Sequence, residues 1–252
     1  MVLAGGAGRR MGGAAKPLLP VGGVPMLRRV LDAVADARPL IVVGPPELAG
    51  ELPEGAVLTR EDPPGGGPVA AVAAGAASLP PDGLVLLVAS DLPFLTPAAV
   101  AALAAGLSGP AAEGHAVEGH AVERHAVEGH ANEGRATGSD RPADGPDVAL
   151  FVDDDGRAQH LCAMWRIGAL RAALPERPHG ASMRAVLDGV DVARVRWTGA
   201  GPPPWYDCDT PDELRRAESV DGAPPGPGGA EPARTDRTPP SRGGARPTEE
   251  LS

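Results

Sequence analysis

A single lysine, Lys16, stands in this chain among 22 arginines. It ends a glycine-rich opening that reads Leu3-Ala4-Gly5-Gly6-Ala7-Gly8-Arg9-Arg10-Met11-Gly12-Gly13-Ala14-Ala15-Lys16-Pro17. Gly5, Gly6 and Gly8 let backbone N–H groups come close to an anion. A compact ammonium at the end of such a loop suits a phosphate, and Arg10 adds a second positive charge. The spacing is not a dinucleotide fingerprint, because Met11 stands where the third glycine would be. It is not a Walker A loop either, because Lys16 has no glycine before it and no Ser or Thr after it.

Carboxylates supply the complementary chemistry. Asp91 follows the apolar run Leu84–Ala89 in Ser90-Asp91-Leu92-Pro93-Phe94-Leu95-Thr96-Pro97. A carboxylate there can hold Mg2+, a hard cation that prefers oxygen ligands and triphosphate; the bland alternative is a solvated loop aspartate. Asp207 and Asp209 lie two apart in Trp205-Tyr206-Asp207-Cys208-Asp209-Thr210-Pro211. On an extended segment their side chains share one side and could complete a metal site opposite Asp91. Acids before a helix also favour its dipole, so that reading stays open. Between these regions, Arg60-Glu61-Asp62-Pro63-Pro64-Gly65-Gly66-Gly67-Pro68 places a glycine run before a helical pattern, where backbone groups could receive a nucleobase or ribose.

The elements that must position these residues alternate. Strand-length apolar runs occur at Leu40–Gly44, Leu84–Ala89, Val148–Val152, Leu161–Trp165 and Val192–Trp197. Helical patterns cover Met26–Ala37, Pro68–Ser78, Pro97–Leu107, Ile167–Leu174 and Ser182–Val190. Near-continuous apolar strands between helices predict an α/β fold, with a mainly parallel sheet covered on both faces. Ligands in such sheets bind beyond the carboxyl ends of the strands, where the glycine loop and Asp91 fall. Thr96 and Thr210 read as helix caps, the latter in capping-box spacing with Glu213. Only Met1 to Leu3 precede the loop, so the first strand is expected to be incomplete.

Two segments are poor core material. Residues 111–146 hold a five-residue repeat around Glu113-Gly114-His115-Ala116-Val117, and residues 219–252 are rich in Pro, Gly, Arg and acids. Low hydrophobicity cannot offset chain entropy, so the tail is expected to be disordered. The domain is then expected over 1–218, interrupted by a low-complexity insertion at 111–146. His115, His120, His125 and His130 recur every five residues, a step of about 140° on a helix, so no regular structure gathers them into a metal cluster. A net charge of −10 argues against a general nucleic-acid binder. The longest apolar run is far short of a membrane span. Cys162 and Cys208 form neither a disulfide framework nor a metal motif, and the opening has no signal-peptide pattern. A soluble, cytoplasmic protein is the expectation.

Taken together, the glycine loop with Lys16, Gly67-Pro68-Val69-Ala70, Ser90-Asp91-Leu92-Pro93 and Asp209-Thr210-Pro211 resemble the molybdenum cofactor guanylyltransferases of the nucleotidyltransferase superfamily. The resemblance implies a Rossmann-like three-layer fold. It implies GTP as donor, Mg2+ as cofactor and molybdopterin or the molybdenum cofactor as acceptor, with cofactor-delivery proteins as partners. By motif, Leu3, Ala4, Gly5 and Lys16 would contact the nucleotide and Asp91 the metal. Glu61 or Asp62 falls near the family's nucleotide-contacting acid, and Gln159–Trp165 with Ser182–Leu187 lie on the acceptor side. Ala15 departs from the family's acid before the lysine. Asp207-Cys208-Asp209 departs from its Asn-x-Asn and matches related cytidylyltransferases.

The groups available imply attack by an acceptor phosphate on the α-phosphorus of the nucleotide, with pyrophosphate leaving. Catalysis would come from aligning two anions and neutralising their repulsion, with Mg2+ on Asp91 and Asp209 and positive charge from Lys16 and Arg10. The alternatives are a cytidylyl- or sugar-1-phosphate nucleotidylyltransferase, or a catalytically silent nucleotide-binding module.

Overall fold

The computed structural model describes residues 1–5, 15–108, 122–125 and 145–221. Along the chain lie β1 (Val2–Leu3), β2 (Pro20–Val21), β3 (Val24–Pro25), α1 (Met26–Ala33), β4 (Ile41–Val43), β5 (Val57–Thr59), α2 (Pro68–Ala76) and β6 (Leu84–Ala89). They continue with α3 (Pro97–Gly106), β7 (Val122–His125), β8 (Val148–Val152), β9 (Ala158–Arg166), α4 (Ile167–Ala173), α5 (Met183–Val186), β10 (Val192–Arg196) and α6 (Pro211–Asp221). One sheet takes the order β5-β4-β1-β6-β9-β8-β10-β7, and β2 and β3 form a separate hairpin.

The mainly parallel sheet expected from the apolar runs is present. β5, β4, β1 and β6 pair in parallel, as do β8 and β10. β9 runs antiparallel to both β6 and β8. Its direction follows from the five-residue turn Asp153-Asp154-Asp155-Gly156-Arg157, too short for a parallel crossover. The turn is closed by Asp153 N to Arg157 O at 3.0 Å and by Arg157 N to Asp153 Oδ1 at 2.8 Å. Gly156 takes φ +79°, which glycine adopts without a side-chain clash.

The period-2 alternation of strands sorts the core into two layers. Val2, Val42, Leu86, Val88, Ala149, Phe151, Cys162, Ala193 and Val195 face α1 and α3, packing with Leu27, Val30, Leu31, Ala99 and Leu103. Leu3, Ile41, Val43, Val85, Leu87, Leu150, Trp165 and Val192 face α2, α4 and α5, packing with Val69, Val72, Ile167, Leu170, Met183 and Val186. The result is helix, sheet, helix in three layers. Alanine-rich α3 lies close to the sheet: a Cβ on Gly106 would come within 2.9 Å of Ala149 and Val195.

A third, small cluster joins the β2–β3 hairpin to α6 through Val21, Met26, Cys208 and Ala217. α6 itself runs on through Ser219, Val220 and Asp221, so these three residues are helical rather than part of a disordered tail as expected. The rest of that tail, 222–252, lies outside the described residues. So does most of the expected insertion. Within it, the backbone of Val122–His125 forms an edge strand antiparallel to β10, where an irregular loop was expected. His115, His120 and His130 are not among the described residues. The five patterned helices all end short of their patterns, by one or two residues in α2, α3 and α4 and by four in α1, which ends at Ala33, and in α5, which ends at Val186 ahead of Gly189 with φ +74°.

Candidate active site

The four parallel strands β5, β4, β1 and β6 deliver their carboxyl ends to one edge of the sheet. Leu3 and Ala4 leave β1 there, both buried; Ala4 N donates to Val43 O at 2.7 Å and Ser90 N to Leu3 O at 2.9 Å. Gly5 is exposed beyond them. Gly6, Gly8 and Arg10 lie outside the described residues.

The chain returns at Ala15 and turns through a single 3-10 turn, Lys16–Leu18. Pro17 is buried in it, and Leu18 N and Leu19 N close it on Ala15 O and Lys16 O at 2.8 and 3.1 Å. Leu18 packs against the α1–α3 core and Leu19 against the α6 cluster, which leaves Lys16 projecting over the strand ends. Asp91 follows β6. Leu92 and Leu95 are buried after it, and Thr96 Oγ1 accepts from Ala99 N at 3.2 Å, capping α3 as its sequence predicted. Asp209 is set by two anchors. Cys208 beside it is wholly buried, and Thr210 and Glu213 form the expected capping box, with Thr210 N donating to Glu213 Oε2 at 2.7 Å and Glu213 N to Thr210 Oγ1 at 3.3 Å.

These three segments meet in one contact. Lys16 Nζ donates to Asp91 Oδ2 and to Asp209 Oδ1, joining residues 75 and 193 positions away. The Lys16 and Asp91 side chains are mostly buried, whereas Asp209 is 49% exposed, so the cluster opens to solvent on the Asp209 side. Burial lowers the affinity of the Lys16 amine for its proton; the hydrogen bonds and charges of Asp209 and Asp91 outweigh it and raise the pKa above the ordinary lysine value. The ammonium is therefore firmly charged. Asp207 faces the same ensemble: burial first, then the charges of Asp209 and Asp91, raise its pKa. Inward Cys208 between two outward aspartates is the alternation predicted for this stretch. Burial, then the charge of Asp91, pushes the Cys208 thiol up to about 12, and burial does the same to Cys162, so neither is a ready nucleophile.

The other candidates sit on the same sheet edge but apart from this contact. Glu61 folds back on its own loop, accepting from Gly65 N at 3.0 Å. Asp62 is exposed, and Gly67 opens α2 with φ +88° followed by Pro68. Among the described residues no hydrogen bond or ion pair joins Glu61 or Asp62 to Lys16, Asp91 or Asp209. Sequence reasoning missed the partner of this loop. Gly180 N donates to Gly66 O at 2.9 Å, and the His179 imidazole lies so close to Gly66 that a Cβ there would come within 2.5 Å of Nδ1. On the far side of the sheet edge, His160 of β9 is half-buried, and burial with the nearby Arg184 charge lowers its pKa.

Two oxygen donors converging on one cation fit a hard divalent ion, which keeps water and phosphate oxygens in its remaining positions. Among the described residues no cluster of three or more His, Cys, Asp and Glu suits a metal; Asp91 and Asp209 offer two carboxylates that could hold one together with phosphate oxygens. No described helix is long and apolar enough to cross a membrane.

Residues 1–219 match the family model described as the MobA-like NTP transferase domain. A molybdenum cofactor guanylyltransferase of Bradyrhizobium sp. (strain ORS 278) is 35% identical over 229 residues, covering 87% of this chain and 91% of the relative. Among solved structures, the molybdopterin-guanine dinucleotide biosynthesis protein A of Archaeoglobus fulgidus superposes with a TM-score of 0.55 at 19% identity, over 87% of this chain and 96% of the other. The 2-C-methyl-D-erythritol 4-phosphate cytidylyltransferase of Thermus thermophilus does so with a TM-score of 0.52 at 27% identity, over 87% and 97%. The chain belongs to the MobA-like NTP transferase family and is a nucleotidyltransferase.

Proposed function

We propose that this nucleotidyltransferase moves GMP from GTP to the terminal phosphate of molybdopterin or its metal-bearing form, with Mg2+ as cofactor and pyrophosphate as product. The observation that carries the donor and acceptor is the likeness to the Bradyrhizobium guanylyltransferase along nearly the whole of both chains. The convergence of Lys16, Asp91 and Asp209 at the carboxyl ends of the strands supports the chemistry. The reaction belongs in the cytoplasm, with a cofactor-delivering protein as the macromolecular partner.

In this reading the loop backbone from Leu3 through Gly8 cradles the phosphates, Glu61, Asp62 and Gly67 border the nucleoside, and Arg10 adds charge. An acceptor phosphate oxygen forms a bond to the α-phosphorus while the bond to the β-phosphate oxygen breaks and pyrophosphate departs. Asp91 and Asp209 would hold Mg2+, which when bound supplies charge neutralisation on phosphate oxygens. Lys16 places its ammonium where negative charge accumulates on the leaving group. Gln159 and His160 on β9 and Arg184 on α5 border the acceptor. The test is calorimetric binding of GTP, CTP, ATP and UTP with and without Mg2+, followed by pyrophosphate release with molybdopterin. Mg2+-dependent preference for GTP is expected.

One observation favours a second reading. Asp207-Cys208-Asp209 follows the cytidylyltransferase pattern, and the Thermus cytidylyltransferase is similar over most of the chain. A preference for CTP would move the donor and the acceptor to that reaction.

A further inference from the structure

Lys16 is tied to the very carboxylate oxygens that the metal would need. One ammonium occupies the point on which Asp91 Oδ2 and Asp209 Oδ1 converge. A Mg2+ ion bound by both oxygens would sit about 2.0–2.1 Å from each, leaving no room for Nζ, and two cations in contact repel strongly in a partly buried site. Ammonium and metal therefore exclude one another.

The parts differ in their freedom to move. Asp91 is followed by buried Leu92, and Asp209 is preceded by buried Cys208 and followed by the Thr210–Glu213 box. Lys16 swings on a flexible four-carbon stem. Charge accounting points the same way. The cluster of two carboxylates and one ammonium carries a net negative charge, which repels a free triphosphate. With a divalent ion in place of the ammonium the carboxylates are neutralised, and Lys16 is released with its charge available to phosphate.

We propose that Lys16 acts as the resident counter-ion of the Asp91–Asp209 pair and is exchanged out of it by the metal that arrives with the nucleotide, so that metal and nucleotide bind in obligate cooperation. This rests on the Mg2+ reading above. Metal alone must evict an ammonium that has nowhere better to go, and nucleotide alone meets an engaged lysine and a net negative cluster. Together each relieves the other's cost, which is a coupling free energy between two ligands.

Because Lys16 is the only lysine in the chain, lysine labelled at its ε-carbon and ζ-nitrogen gives a single side-chain signal in the full-length protein. That signal is expected to stay in place with Mg2+ alone at concentrations that saturate the ternary complex. It is expected to shift when GTP is added, with the midpoint of the calorimetric binding curve. In Lys16→Met, Mn2+ binding without nucleotide, followed by its electron spin resonance, is expected to tighten at least tenfold, and the dependence of metal affinity on GTP should largely vanish. An unmoved Lys16 signal in the saturated wild-type complex, or unchanged Mn2+ affinity in folded Lys16→Met, overturns the exchange. Asp91→Asn separates the two readings. If it abolishes Mn2+ binding, the metal site stands whatever Lys16 does; if it leaves Mn2+ binding intact, the metal assignment falls and the exchange with it.

Discussion

Arg29 clasps Asp221 through two parallel bonds, Nη1 to Oδ1 at 3.0 Å and Nη2 to Oδ2 at 2.6 Å, while its Nε donates to Val21 O at 3.0 Å. One guanidinium thus fastens the last described turn of α6 to α1 and to the β2–β3 hairpin. Gly22 makes the room, since a Cβ there would collide with the Asp221 carboxylate. Asp209 lies two residues before α6, so this distant clasp holds the helix that follows the third member of the cluster Lys16 shares with Asp91.

Replacing Arg29 by Ala is expected to lower stability by about 1.5–3 kcal/mol, the range for hydrogen bonds to charged groups, read as a fall in Tm. Nucleotide affinity in the presence of Mg2+ should weaken several-fold as Asp209 loses its support. Arg29→Lys should recover little, because an ammonium cannot reproduce the planar fork. A variant with unchanged Tm and affinity would show that α6 is held by its apolar contacts alone.

Lys16→Ala and Asp91→Ala are each expected to reduce pyrophosphate release by at least about a hundredfold, the scale for losing one preorganised electrostatic contact. Neither residue belongs to the apolar layers, so both variants should keep wild-type far-ultraviolet dichroism and a cooperative melt. Near-normal turnover by either would remove that residue from the proposed machinery.

Much of this arrangement is legible locally. The Thr96-Pro97 and Thr210–Glu213 caps are written in adjacent residues, and Asp207 and Asp209 share a side because Cys208 between them must be buried. The five apolar runs became strands. What escaped lacks a local signal. β5 is three residues long with Val57 exposed, and the β2–β3 hairpin carries Pro at both paired ends; the two-residue β1, by contrast, is the short first strand expected before the glycine loop. The direction of β9 was available in the Asp153–Arg157 turn, whose Asp and Gly are hairpin residues. The Arg29–Asp221 clasp and the His179–Gly66 contact join segments 192 and 113 positions apart. No periodicity or spacing announces such a pair; only the folded topology brings it together.

His160 gives stability a pH dependence of known sign. Burial and the Arg184 charge hold its pKa below the ordinary 6.5 in the folded protein. Between the folded value and 6.5 the unfolded chain binds more protons, so stability rises with pH across that window. Its contribution is full above 6.5 and is lost as pH falls through the folded value. His160→Gln should flatten this part of the Tm-versus-pH curve relative to wild type. Arg184→Gln should raise the imidazole pKa followed by NMR, and an unmoved titration would mean that burial alone depresses it.

Arg166 joins the two described stretches that flank the long repeat. Its Nη2 donates to Leu107 O at 3.0 Å and its Nε to Pro146 O at 2.9 Å, so one side chain ties together the two ends of the interrupting segment. Arg166 N adds a bond to Asp147 O at 2.9 Å. The closure is made in the sheet, at the far end of β9 from His160, and the cost of a longer loop grows only with the logarithm of its length. Replacing residues 109–144 by a short Gly-Ser linker is therefore expected to leave Mg2+-dependent nucleotide affinity within about twofold, with at most a modest fall in Tm as β10 loses its edge partner β7. Arg166→Met in the full chain should cost more stability than the deletion, because it frees both ends at once and leaves two part-buried carbonyls without their donor. Loss of nucleotide binding on deletion, measured by calorimetry on a folded sample, would instead make the inserted segment part of the site.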